Sequence, residues 1–285
     1  MNKIAFFGTS DFSVKCLETM ATLGTIPSLI ICGEDKPQGR NLVVTPPPAK
    51  VWAQAHNIKT LQPKSLKTDE FVAELSKEKW DVFVVASYGK LIPKNILEMP
   101  KGKTINIHPS LLPKLRGASP LPSAILTEDK TGVTIMLLDE EMDHGPIIAQ
   151  KEVSFENWPP RIETLKNTLA EEGANLLISI LPKWLSGEIK ATEQEHTKAT
   201  YTKKIQKSDG RIDLSDNHLE NWKKIQAYTP WPSAYFFVTH KDKEIRVIIK
   251  DATFSNNELK ISRVLPEGRR EMSWQEFESG FIKNI

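Results

Sequence analysis

The sequence predicts an α/β domain built on a parallel sheet, followed by a small β-rich domain. Three observations carry this expectation. Short, continuously apolar runs alternate with helical stretches through the first half, the pattern of buried strands covered by helices on both faces. A polar stretch without a sustained period, residues 188–205, then interrupts that pattern. Beyond it lie one clear helix and runs such as 234–239 and 244–250 that alternate at period two.

Taken in order, residues 3–8 are apolar and close on Gly8, as a strand entering a tight turn does. Asp11 then caps a helix in which Val14, Leu17 and Ala21 recur at helical spacing. A second apolar run, 28–32, ends at Gly33, and the proline-rich stretch 33–48 cannot be regular throughout. Helices are expected over 48–57 and 67–79, and buried strands over 81–86, 104–108 and 132–138. A long helix is expected over 162–185, with Leu165, Leu169, Leu176, Ile180 and Trp184 on one apolar face and a stop at Ser186-Gly187. After the polar stretch, 217–227 reads as a helix.

A chain of 285 residues has room for two domains. With 39% hydrophobic and 26% charged residues it can bury a core, which excludes disordered, collagen-like and coiled-coil classes. No apolar run approaches the roughly 18 residues of a membrane helix, so no membrane partner is expected. The run at 4–7 is too short for a secretory signal. Cys16 and Cys32 are too few for a disulfide framework or a zinc knuckle, and the histidines lack the HxxxH and HExxH spacings, so no metal is expected. A reduced, cytoplasmic protein follows. The net charge of +2 neither demands nor excludes a polyanionic partner.

The turn Gly8-Thr9-Ser10-Asp11-Phe12 lacks the second and third glycines of a dinucleotide fingerprint, so a nicotinamide cofactor is unsupported. A GxSxG hydrolase elbow is also absent. The most informative segment is Asn106 to Pro113. Asn106 and His108 are two apart on a strand and point to one side of it, just before Pro109 ends the strand. An amide can donate to a developing oxyanion, and an imidazole can move a proton near neutral pH. A satisfied core histidine is the competing reading. The segment 139–146 follows another apolar strand, and its Asp143 could hold the tautomer of a neighbouring histidine, or lie in a solvated acidic loop. Arg40, on the proline-rich stretch, and Lys190, Lys198, Lys203, Lys204 and Lys207 would suit a polyanion, although charge runs are more often plain surface.

Asn106-x-His108 with Ser110-Leu111-Leu112-Pro113, Arg116-Gly117 and the distant Asp143 resembles the 10-formyltetrahydrofolate-dependent formyltransferases. The similarity extends through 6–12, 81–93, 132–145, Arg211-Ile212-Asp213, Pro230-Trp231-Pro232 and Met272-Ser273-Trp274 to the branch that formylates methionyl initiator tRNA, and it covers nearly the whole chain. The resemblance implies a Rossmann-like catalytic domain over 1–188, a basic linker over 189–205 and an OB-like tRNA-binding barrel over 206–285. It implies 10-formyltetrahydrofolate as formyl donor, initiator methionyl-tRNA as acceptor, and a monomer. Asn106, His108 and Asp143 match the family's catalytic triad. Ser110, Leu111, Leu112 and Pro113 match one wall of the folate pocket, and Tyr88, Gly89, Leu91, Ile92 and Pro93 match another. Arg40 matches an arginine on the loop that enters the tRNA acceptor end. Sugar-amine formyltransferases share the triad, and an inactive tRNA-binding module is the alternative from another class. The sequence departs from the family pattern at Asn41-Leu42-Val43-Val44, at Pro122-Ser123, at His144 beside Asp143, and in a shorter C-terminal domain.

Overall fold

The computed structural model describes residues 2–39 and 42–282. Arg40 lies outside the described residues. The chain groups into two compact units. One takes the residues up to Pro120, Lys130–Ser154 and Lys166–Thr202; the other takes Leu121–Asp129, Phe155–Leu165 and the chain from Lys203 onward.

The first unit begins with β1 (Ile4–Gly8), all five residues buried, and α1 (Asp11–Thr22). The turn between them is held by a hydroxyl. Ser13 is wholly buried, and its Oγ accepts from the Thr9 and Ser10 amides at 2.9 and 3.2 Å while donating to the Ala86 carbonyl at 2.6 Å. Asp11, expected as the cap, is instead the first helical residue, and Ser10 takes the cap position. A Cβ on Gly8 would come within 2.7 Å of the Ser13 Cβ, which is why glycine closes this strand. Next come β2 (Leu29–Ile31), β3 (Lys36–Gln38) and β4 (Val43–Thr45). The last two form a small hairpin within the proline-rich stretch. Then follow α2 (Pro48–Ala55), with proline in its first turn, β5 (Lys59–Leu61), α3 (Asp69–Ser76), β6 (Val82–Ala86), α4 (Lys94–Leu97) and β7 (Thr104–His108). Both α2 and α3 are shorter than their expected spans. The two-residue β8 (Arg116–Gly117), β9 (Thr131–Leu137), β10 (Ile147–Val153) and α6 (Ile162–Leu185) complete the run, while α5 (Pro120–Thr127), apart from its first residue, and the start of α6 up to Leu165 group with the second unit.

Among the described residues the first unit is built on a seven-stranded sheet of order β10-β9-β7-β6-β1-β2-β5. β1, β2, β5, β6 and β7 are parallel, whereas β9 runs against β7 and β10 against β9. The chain leaves β1 toward β2 on one side and toward β6 on the other. The carboxyl ends of β1 and β6, at Gly8 and Ala86, therefore flank a topological switch point, where open α/β sheets take their ligands. His108 ends the next strand along.

The buried residues of α6 within this unit are Leu169, Ala170, Gly173, Ala174, Leu177 and Leu181. Leu176, Ile180 and Trp184, expected on that face, are only half-buried. Small residues displace the seam, because they let the helix approach the sheet. A Cβ on Gly173 would run into the Ile107 Cγ2, and Ile107 sits between Asn106 and His108.

The second unit carries α7 (His218–Tyr228) and a four-stranded antiparallel sheet of β12 (Tyr235–His240), β13 (Lys243–Ser255), β14 (Glu258–Pro266) and β15 (Met272–Ser273), numbered after β11 (Tyr201–Thr202) of the first unit. This meander is the form the expected OB-like part takes. Asn217 caps α7, its Oδ1 accepting from the Leu219 and Glu220 amides at 2.9 and 3.2 Å. Phe236, Val247, Ile249, Val264 and Phe277 form a separate core with Ile212 and Ile225. Full burial of such side chains contributes about 1.5–3 kcal/mol each.

Gly173→Ala should test the close approach of α6. Alanine gains about 1 kcal/mol of helix propensity, but overpacking against Ile107 costs about 1–3 kcal/mol. Net destabilisation in urea melts is the expected result, and a variant more stable than the parent would show that the helix yields freely.

Candidate active site

Asn106 and His108 stand two residues apart on β7, which pairs with β6 on one side and β9 on the other. Both are buried polar residues, and among the described residues no group pairs with the Asn106 amide. Its donors are therefore available to a bound oxygen. The His108 ring has acceptors at both nitrogens. Nε2 lies 3.1 Å from the Leu115 carbonyl, and Nδ1 lies 3.6 Å from Asp143 Oδ1. A neutral imidazole has one N–H, and 3.6 Å is too long for a direct hydrogen bond. The Leu115 carbonyl is thus the direct partner, and Asp143 acts across a small gap.

The loop after His108 is fixed by side-chain hydroxyls. Ser110 Oγ donates to the Lys114 carbonyl at 2.7 Å, and Thr134 Oγ1 donates to the Ser110 carbonyl at 2.6 Å. Thr134 Oγ1 also accepts from the Leu112 amide at 3.2 Å, and Gln150 Nε2 donates to the Leu112 carbonyl at 2.9 Å. Ser110 and Leu112 are buried, while Leu111 and Pro113 are half-buried.

Asp143 reaches the site from the turn between β9 and β10. Its φ is +52°, a left-handed conformation that a non-glycine residue adopts only when its surroundings hold it there. One anchor is the Gly117 amide, which donates to Asp143 Oδ2 at 2.7 Å. Gln194 supplies the other: its Nε2 donates to the Asp143 carbonyl at 3.0 Å and to the Gly145 carbonyl at 2.7 Å. The Oε1 of the same side chain accepts from Arg116 Nε and Nη2 at 3.2 and 2.7 Å. Arg116 is 1% exposed. Its remaining partners are His196 Nδ1 at 2.9 Å and the Tyr201 hydroxyl at 3.4 Å, so among the described residues this buried cation meets no carboxylate. His144 takes no part in the His108 pair. It bonds Asp139 Oδ2 at 2.7 Å and stacks on His196 with ring centroids 4.1 Å apart.

Residues 192–202 are therefore no open tether. Thr192 bridges to Ile147, β11 pairs in parallel with β8, and the Thr200 carbonyl and hydroxyl accept from the Arg116 and Leu115 amides, each at 2.9 Å. Sequence reasoning missed Gln194 altogether, since a lone glutamine in a polar, aperiodic stretch carries no signal. Arg116 stood in the motif without a role.

The second expected wall is divided. Tyr88 and Ile92 are buried, Pro93 is half-buried, Gly89 is exposed and Leu91 is 71% exposed. The Tyr88 hydroxyl has no hydrogen-bond partner among the described residues, and burial raises its pKa. The expected polyanion contacts Lys190, Lys198, Lys203, Lys204 and Lys207 are all exposed. Lys198 pairs with Glu195 at 2.8 Å within its own turn. Lys190 and Lys198 belong to the first unit, and the other three belong to the second.

Both cysteines are free and buried. Burial pushes the Cys32 thiol up to about 11 and holds Cys16 far above the usual thiol range. Neither should react with iodoacetamide at neutral pH in the folded protein, and both should react in urea. Mass spectrometry reads the difference, and native-state labelling of either would contradict the packing described.

Comparison with known proteins adds to this geometry. The formyl transferase profile matches residues 2–181, and the profile for the formyl transferase C-terminal domain matches residues 204–258. A methionyl-tRNA formyltransferase from Sulfurihydrogenibium sp. (strain YO3AOP1) is 42% identical over 86% of this chain and 79% of its own length. Among solved structures, a sugar N-formyltransferase from Shewanella sp FDAARGOS_354 superposes with a TM-score of 0.63 at 19% identity, covering 86% of this chain and 95% of that one. A methionyl-tRNA formyltransferase from Clostridium thermocellum does so with a TM-score of 0.61 at 15% identity, covering 93% and 99%. At those identities the two structures speak to the fold alone.

Proposed function

The chain belongs to the formyl transferase family, and from that premise we propose that it transfers a formyl group from N10 of 10-formyltetrahydrofolate to the α-amino group of methionyl initiator tRNA. The observation that carries this reading is the 42% identity, over most of both chains, to a methionyl-tRNA formyltransferase. The site suits the chemistry. The neutral amine attacks the formyl carbon, a C–N bond forms, and negative charge gathers on the formyl oxygen. The Asn106 amide, which no protein group occupies among the described residues, and His108 on the same strand face stabilise that oxygen. Asp143 supports the His108 ring as it takes up charge across the 3.6 Å gap. The bond to N10 then breaks, and the proton lost by the amine passes to N10 through a water.

The donor set fits a formyl group, because it offers hydrogen bonds where charge develops. The buried side chains of Tyr88, Ile92 and Leu112 suit packing against the flat face of a pterin. In this reading Ser110, Leu111, Leu112 and Pro113 form one wall of the folate pocket, and Tyr88, Gly89, Leu91, Ile92 and Pro93 form the other. Arg40 and the exposed Lys190, Lys198, Lys203, Lys204 and Lys207 meet the RNA. The enzyme works as a cytoplasmic monomer.

His108→Ala and Asp143→Ala are each expected to lower kcat by roughly 10²–10³, the effect of losing about 2.7–4 kcal/mol of charge stabilisation. Folate binding should be retained, and the double variant should lose little more than the worse single one. Formylation of methionylated initiator tRNA, run beside a panel of sugar amines, is the deciding assay. Turnover of the sugar amines alone would overturn the acceptor assignment.

Replacing Lys203, Lys204 and Lys207 together by alanine should raise KM for the tRNA without changing KM for the folate. The log–log salt dependence of tRNA binding should flatten by up to about 0.7–0.9 per lost phosphate contact. An unchanged slope would show these lysines to be plain surface.

A further inference from the structure

Asp143 must arrive at His108 in a left-handed backbone conformation on a turn that has little regular structure of its own. Its backbone carbonyl and that of Gly145 bracket the turn, and both accept from one group, the carboxamide nitrogen of Gln194. A carboxamide can rotate, and a rotated one would turn its oxygen toward those carbonyls. Arg116 prevents this. Its Nε and Nη2 both bind Oε1, so the donor end of Gln194 faces the turn. Arg116 cannot lose its proton and, at 1% exposure, cannot reach solvent, so its need for an acceptor is constant.

We infer that Gln194 is a positioning residue for the transfer reaction, holding the Asp143–Gly145 turn through two carbonyls, with Arg116 locking its orientation. This rests on the proposed role of Asp143. Gln194 touches neither substrate in this account; it acts through the aim of the Asp143 carboxylate. The same segment reaches His108 from the other side. The Leu115 carbonyl that faces His108 Nε2 belongs to a residue whose amide is held by the Thr200 hydroxyl at 2.9 Å.

The test separates positioning from stability. Gln194→Glu keeps an acceptor for Arg116, now a carboxylate, but sets an oxygen against two carbonyls. The full-length variant should melt near the parent temperature and bind the folate with KM within about twofold. Its kcat should fall by up to about a hundredfold, the scale on which a misplaced catalytic group lowers a rate. Gln194→Met, which removes both contacts at similar volume, gives the same reading if the glutamate variant does not fold. Asp143→Asn and the double variant Asp143→Asn with Gln194→Glu complete a cycle. If Gln194 works through Asp143, the double variant is no slower than Asp143→Asn by more than about twofold. Parental kcat in Gln194→Glu, or losses that multiply in the double variant, would overturn the inference. If Asp143→Asn itself turns over at the parental rate, the catalytic reading fails and this role fails with it. If Asp143→Asn is inactive while Gln194→Glu is unimpaired, only the positioning role fails.

Discussion

β9 runs against β7, so its carboxyl end at Leu137 lies opposite Ile105 rather than beside His108. Ile105 is three residues upstream of His108, roughly 10 Å at about 3.3 Å per residue. The turn that carries Asp143 must therefore double back, and the rest of the site follows from that requirement. Gly145 packs against the Leu137 carbonyl too closely for a side chain, the Leu137 amide donates to the Pro146 carbonyl, and Asp143 takes a left-handed conformation. None of these would hold the carboxylate alone. The Gly117 amide and the Gln194 carboxamide complete the set, and both come from elements that pair with one another, β8 and the segment ending in β11.

The parallel half of the sheet was readable because each strand is a continuous apolar run. β1, β6 and β7 are buried at every position, and their spans could be read to within a residue. The direction of β9 was not readable, since a strand buried on both faces looks the same whichever way it runs. The seam of α6 was misread because hydrophobicity drew attention to Leu176, Ile180 and Trp184, whereas closeness to the sheet is set by Gly173 and Ala174. The Asn106 and His108 pair was legible from period-two geometry, since residues two apart share a face. Gln194 was not, because its role comes from a fold-back that brings it beside residues some fifty positions earlier in the chain.

Among the described residues, Arg116 shows how a charge can be buried without an ion pair. Its guanidinium is met by a carboxamide, an imidazole and a phenol. A carboxylate in their place would form a strong pair, but it would also stand close to Asp143 and compete for the same electrostatic role. With these partners, Asp143 is the carboxylate beside the His108 ring among the described residues.

The attachment of residues 192–202 to the first unit also bears on how such proteins can be rebuilt. A chimera that joined a foreign module directly to the end of α6 would discard Gln194, Thr200 and β11, and with them the support of the turn that carries Asp143. The chain passes to the second unit at Lys203, so a crossover that keeps this support lies downstream of Thr202. Recombination that spares this support is therefore confined to crossovers past that point, and the seventeen residues after α6 travel with the sheet-bearing half rather than with the chain that follows.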